Sequence, residues 1–382
     1  MENKWYGKSL RLGILGGGQL GRMFIQDAIA FDVAVHSLDP DKNAPCKEIA
    51  NEFTVGSLTD YDTVMNFGAD KDILTIEIEN VNIDALKELE KQGKKVFPQP
   101  NVIEIIQDKG LQKQFYADKN LPTAPFTLHK SKEELIATNP SFPFVNKLRK
   151  GGYDGKGVQI IKSQSDLEHI FDAPSIIESM IPFEKELSVI VARNERGQTE
   201  VYPTVECEFS STSNLVEFLF SPADISKKIE ENAKSIAIDV INKLGMVGIL
   251  AVEFFLLKDG SLLVNEIAPR PHNSGHHTIE CNITSQFEQH MRSVLNLPLG
   301  STKTIQSGVM INLVGEPNFE GNVYYDGIDD ILEMEGVHIH MYGKSTTKPN
   351  RKMGHITITS EDIEIAKTTA RKVQKMIRVI SI

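Results

Sequence analysis

Over the first hundred residues, short apolar, β-branched runs alternate with amphipathic stretches of helical period. Apolar positions concentrate in residues 11–16, 33–38, 73–78 and 95–97, which are runs of strand length. Between them, residues 20–31, 61–67 and 83–92 place apolar side chains three to four positions apart and predict helices. Strands alternating with helices predict a parallel sheet covered by helices. Pro98-Gln-Pro100 interrupts the pattern and marks the best domain boundary. Beyond it a helix runs through Gln114, and then the pattern turns antiparallel. Hairpin-like pairs recur around 151–157, around 194–197 and around Asp259-Gly260, interrupted by one long helix over 226–244. After Pro298 the tail predicts short strands, among them 338–342 and 355–359, and a closing helix.

The pair of apolar runs around Asp259-Gly260 carries the most chemistry. Asp-Gly between two such runs predicts a two-residue hairpin turn. In that register Lys258 faces Ser261, and Glu253 lies directly opposite Glu266. Like charges on directly opposed positions are destabilising. Two carboxylates on one apolar patch therefore suit a hard cation such as magnesium, brought in with a nucleotide polyphosphate. The same pattern also fits two solvated glutamates on an edge hairpin.

Length and composition set the frame for that chemistry. At 382 residues the chain calls for two or three domains. The contents, 40% hydrophobic and 24% charged, are those of a globular protein, and no run is long and apolar enough to span a bilayer. Three scattered cysteines suit neither a disulfide framework nor a zinc site, so a cytoplasmic location is expected. A net charge of −11 argues against nucleic acid or an anionic membrane as partner. An anionic small-molecule substrate would then need locally clustered Lys and Arg.

Three further motifs meet that need. Gly16-Gly-Gly18-Gln-Leu-Gly21 joins the first strand to the first helix, with Asp39 at the end of the second strand. This is where a dinucleotide fingerprint sits, and it fits a tight strand-to-helix turn equally. Gly151-Gly-Tyr-Asp-Gly-Lys-Gly157 lies between two predicted strands. It reads as a glycine-rich lid over phosphates, with Lys147 on the inbound strand, or as a plain hairpin tip. Ala268-Pro-Arg270-Pro-His272-Asn-Ser-Gly-His276-His277 packs donors beside Glu266, as stabilising an anionic transition state requires. Lys344 and Arg351-Lys352 read alone as a solvated basic turn.

Together these motifs resemble the ATP-grasp superfamily. From about Leu10 to about Thr359, and in matching order, they resemble its N5-carboxyaminoimidazole ribonucleotide synthase branch. The resemblance implies a fold of mixed α/β and α+β class in three parts. These are a Rossmann-like domain over residues 1–100, an ATP-grasp domain over 101–300 with a lid at about 121–185, and a small β-rich C-terminal domain over 301–382. It implies ATP and magnesium as cofactors, 5-aminoimidazole ribonucleotide and bicarbonate as substrates, and a homodimer. ATP would be held by Lys109, Lys147, the lid residues Gly152, Tyr153, Asp154, Gly155, Lys156, Gly157 and Val158, and the segment Glu178, Ser179, Met180 and Ile181. Glu186, Asn265 and Glu266 would complete the nucleotide site, and Glu253 and Glu266 would hold magnesium. The ribonucleotide would meet Gln19, Glu77, Tyr153, Asp154, Lys156 and Arg270, with Lys344 and Arg351 on its phosphate. Arg270, His272 and Asn273 would serve the carboxylation, His272 either taking the amine's proton or orienting phosphate. Lys109 and Lys156 stand where the family commonly carries Arg, and Phe209 where it often carries His. Rival readings are a formate-dependent transformylase or biotin carboxylase of the same superfamily, an NAD-dependent oxidoreductase, and a non-catalytic nucleotide sensor.

Overall fold

The computed structural model describes residues 4–152, 157–209 and 215–382. Its first sheet is parallel throughout, with strands Gly7–Leu15, Val33–Asp39, Glu52–Val55, Ile73–Ile76 and Lys95–Val96; in space the Glu52–Val55 strand is outermost and Gly7–Leu15 central. Helices Gln19–Ala30, Tyr61–Gly68 and Ile83–Lys91 cover it close to where periodicity puts them. Asp60 and Asn82 cap two of these helices, each accepting from the amide three residues on. The sequence pattern misses strand Glu52–Val55, because it lies at the sheet edge with three of its four residues exposed and carries no apolar run.

A nine-stranded sheet forms the body. Its spatial order runs from strand Leu262–Ala268 through Gly248–Leu257, Phe183–Arg193, Val205–Phe209, Val216–Ser221, Ser307–Val314 and Lys352–Ser360 to Val337–Met341, with Thr199–Val201 alongside Phe183–Arg193. One continuous ladder thus links residues on both sides of position 300, through the pairing of Val216–Ser221 with Ser307–Val314. A separate four-stranded antiparallel sheet, built from Phe126–His129, Phe144–Leu148, Val158–Ile161 and Ser175–Ser179, stands over one end of the body. Lys147 pairs with Val158 at the mouth of the glycine-rich loop. The long helix Lys227–Leu244 is capped by Ser226 and stopped by Gly245 at φ +63°, a left-handed position that glycine occupies without steric cost.

The parallel sheet docks on the body through apolar contact. Met23, Phe24 and Ala28 of its first helix share a core with Phe287, Met291 and Val294 of helix Gln286–Val294. His290, on that second helix, is fully buried at the same interface and hydrogen-bonds the Thr75 hydroxyl at 2.8 Å. This docking brings Glu79, just beyond Glu77 of the first domain, within 2.9 Å of Arg270, which follows the body's terminal hairpin.

Candidate functional site

The terminal hairpin departs from the expected turn. Leu257 pairs with Ser261 across a three-residue loop, with Gly260 at φ +82°. The register near the turn is therefore one residue off: Phe254 faces Val264, not Asn265. It is restored farther along, where Val252 faces Ile267. Between those pairs one residue, Glu253, stands against two, Asn265 and Glu266, which defines a β-bulge. A bulge re-aims side chains, and here Asn265 and Glu266 both reach lysines of the cleft. The Glu253–Glu266 opposition survives, by a different backbone route from the one expected.

Four half-buried or buried acids and three lysines converge there. Helix Lys109–Asp118 presents Lys109 and Lys113 on one face, four residues apart. Lys109 Nζ binds Glu266 Oε2 at 2.8 Å. Lys147 Nζ lies 3.0 Å from Glu178 Oε2 and donates to Asn265 Oδ1 at 3.2 Å. Lys113 Nζ lies 3.2 Å from the other oxygen of Glu178. The Lys109 ammonium, together with Lys147, pulls the Glu266 carboxyl down to about 2. Burial pushes Glu178 up, but Lys147 and Lys113 outweigh it and leave it below its ordinary value. The opposite holds for Glu253, raised to about 8 by burial and then by repulsion from Glu266 and Glu186. Burial and Glu266 likewise lift Glu186 to about 7. Two acids pushed upward beside a fully ionised one show a site short of positive charge. That donor set, two carboxylates on one face, fits magnesium, which takes one or two protein carboxylates and completes its shell with phosphates and water. Among the described residues no group of three or more His, Cys, Asp or Glu could hold a metal by itself.

The turn after Glu266 continues the wall. His272 is clamped by Gln286, whose amide accepts from the His272 backbone N–H and donates to its carbonyl, both at 2.8 Å. Gly275 is required there, since any Cβ would strike the Gln286 amide. The His272 ring lies 2.8 Å from the Ser274 hydroxyl through Nδ1 and 3.6 Å from Glu253 through Nε2. Arg270 pairs with Glu79 of the first domain at 2.9 Å. Asn273 exchanges two hydrogen bonds with Asn312, at 2.8 and 3.0 Å. Its amide thus anchors the turn on strand Ser307–Val314.

The opposite lip is the glycine-rich turn. Gly17 donates to Asp39 at 2.7 Å, and Gly18 and Gly21 donate to the two oxygens of Glu77. A Cβ at Gly16 or Gly18 would collide with Glu77. These glycines therefore admit a carboxylate of the chain itself, and three amides that a dinucleotide pyrophosphate would need are already taken. Gln19 opens the helix at this turn. Lys344 donates to the Lys352 carbonyl at 2.7 Å, and Arg351 to Thr346 at 2.8 Å. Of the expected lid residues, Gly152, Gly157 and Val158 flank its tip, while Tyr153, Asp154, Gly155 and Lys156 lie outside the described residues. Ser179 ends strand Ser175–Ser179, an interior strand of the four-stranded sheet, and Met180 and Ile181 follow it, Ser179 and Met180 exposed and Ile181 half-buried. Lys113 and Gln286 escaped the sequence reading. The spacing of Lys113, one helical turn after Lys109, was the available signal for it.

Comparison with known proteins identifies the parts of the chain. The ribonucleotide synthetase preATP-grasp domain family matches residues 10–107, the ATP-grasp domain family 114–287, and the phosphoribosylaminoimidazole carboxylase C-terminal domain family 308–369. The chain is 39% identical to phosphoribosylaminoimidazole carboxylase of Candida glabrata over 93% of its own length, and spans 64% of that protein's length. The crystal structure of N5-carboxyaminoimidazole ribonucleotide synthetase from Thermotoga maritima superposes with a TM-score of 0.90 at 41% identity, covering 98% of this chain and all of that one. An Aspergillus clavatus N5-carboxyaminoimidazole synthase, solved with ADP and 5-aminoimidazole ribonucleotide, gives 0.88 at 31% identity, covering 98% of this chain and 99% of that one.

Proposed function

The chain belongs to the N5-carboxyaminoimidazole ribonucleotide synthase family of ATP-grasp ligases, and from that premise we propose that it carboxylates 5-aminoimidazole ribonucleotide with bicarbonate at the expense of ATP. The products are N5-carboxyaminoimidazole ribonucleotide, ADP and phosphate, on the route to purine nucleotides. One observation carries the reading: the bulge that turns Asn265 and Glu266 toward Lys147 and Lys109, with Glu253 opposite and His272 3.6 Å from Glu253.

In this reading Lys109 and Lys147 hold the nucleotide phosphates, exchanging their carboxylate partners for phosphate oxygens. Glu186, on strand Phe183–Arg193 of the body sheet, would bind the ribose, and the backbone of Glu178 to Ile181 would contact the base. Glu253 and Glu266 would hold magnesium, which would supply positive charge beside the transferring phosphate. A bicarbonate oxygen attacks the γ-phosphorus as the bond to ADP breaks, giving carboxyphosphate. The lid sheet and its glycine-rich loop exclude water, which would otherwise destroy that intermediate. Arg270 steadies the carboxylate, and carboxyphosphate divides into carbon dioxide and phosphate beside the exocyclic amine. The amine bonds to the carbon and loses a proton to His272, whose ring is fixed by Ser274 and faces Glu253. Glu77, Gln19, the loop residues Tyr153, Asp154 and Lys156, and Lys344 with Arg351 grip the ribonucleotide.

The reading includes a cytoplasmic location and a homodimer, and sedimentation analysis tests the second. A coupled ADP-release assay tests the activity. Turnover should require both bicarbonate and 5-aminoimidazole ribonucleotide. Turnover supported by glycinamide ribonucleotide, or independent of bicarbonate, would refute it.

A further inference from the structure

Lys113 belongs to no expected contact with nucleotide or substrate, yet it is 2% exposed at the back of the cleft. Burying a lysine is costly unless its charge is compensated. Its surroundings show what it is held for. Lys113 Nζ lies 3.2 Å from Glu178 Oε1, and Glu178 Oε2 lies 3.0 Å from Lys147 Nζ. Lys147 donates to Asn265 Oδ1 at 3.2 Å. On its other side Lys113 donates to Thr123 Oγ1 at 2.7 Å, and Thr123 donates to the Val264 carbonyl at 2.8 Å. Val264 is bonded to Asn265 through the chain, so the contacts close into a ring. That ring ties helix Lys109–Asp118, the lid sheet and the bulged strand together.

The geometry points to Lys113 as a positioning residue for the nucleotide phosphates, holding Lys147 through Glu178 and the Asn265–Glu266 bulge through Thr123 from behind. The inference rests on the nucleotide reading above and adds a residue to it. Charge balance gives the mechanism. Glu178 carries one negative charge and is shared by two ammonium groups, so neither lysine is fully neutralised by it. Without Lys113, Glu178 would bind Lys147 alone and draw its charge away from the phosphates. Thr123, whose hydroxyl pins Val264, would also lose the donor that orients it.

Binding of magnesium with a non-hydrolysable ATP analogue, and separately of AMP, to the full chain tests this by calorimetry. Lys113→Met should weaken the analogue about tenfold and leave AMP within about twofold, because AMP lacks the β- and γ-phosphates on which Lys147 acts in this reading. Lys113→Met combined with Glu178→Gln should recover most of the loss, since no unpaired carboxylate then competes for Lys147. Thr123→Val, which keeps every charge, should weaken the analogue about threefold and spare AMP; it carries the test if the lysine variant fails to fold. Equal losses for both ligands, or none, would overturn the inference, as would a double variant weaker than the single one. A wild-type chain that binds the analogue no better than AMP would sink the nucleotide reading, and this inference with it.

Discussion

His290 offers a quantitative check on the docking that builds the cleft. Its ring is fully buried between helix Gln286–Val294 and the parallel sheet, with Nε2 on the Thr75 hydroxyl and the Phe24 ring 5.5 Å away. Nδ1 has no hydrogen-bond partner among the described residues. Burial alone depresses its pKa to about 3. The unfolded chain takes up a proton near the ordinary histidine value of about 6.5, while the folded chain stays neutral. Its contribution to stability is therefore whole above about pH 6.5 and is lost as pH falls toward 3. At pH 5.0 the loss is RT ln(1 + 10^1.5), or about 2 kcal/mol. His290→Gln removes that proton uptake. At pH 7.5 the variant should be about 1–2 kcal/mol less stable than wild type, from the lost hydrogen bond and packing. By pH 5.0 the gap between the two should shrink by about 2 kcal/mol. Urea unfolding at the two pH values, followed by circular dichroism, measures the double difference and cancels every other titrating group. A gap that stays constant with pH would refute a neutral, buried His290, and with it the described seating of the first domain.

Two further outcomes bear on the site. Glu266→Gln should cut ADP formation at least ~100-fold, because it removes one of two cation-holding carboxylates and the partner of Lys109; near-normal turnover in the coupled assay would remove Glu266 from the chemistry. Arg149 forks onto Asp108 through Nε and Nη2, both at 2.8 Å, while its carbonyl accepts from the Lys109 amide. Arg149→Lys cannot reproduce the fork, so the KM for ATP should rise about fivefold, with kcat within about twofold; initial rates against ATP concentration decide it, and an unchanged KM would count against the clamp.

Much of this was readable locally. The alternation of strands and helices in the first hundred residues, the long helix ending at Gly245 and the density of donors after Glu266 follow from periodicity, capping and residue chemistry. These act over a few positions and leave marks in the chain. The edge strand Glu52–Val55 was invisible because exposed positions carry no apolar signature. The hairpin was legible as a hairpin, but its register was not. A three-residue loop moved it by one residue and a bulge moved it back, beside the point where Thr123 bridges Val264 from outside the hairpin.

The sequence by itself determined which residue types could meet an anion and a cation, and the order in which they occur. Only the tertiary structure decided how they are used. It filled the Gly16 turn with Glu77, a residue some sixty positions away, and so removed the anion site that the motif suggested. It also buried Lys113 against Glu178 and set Asn273 to anchoring. The physical reason is the same in each case. A charge or an amide takes its character from how far it is removed from water and from which partner reaches it, and both are settled by packing between distant segments.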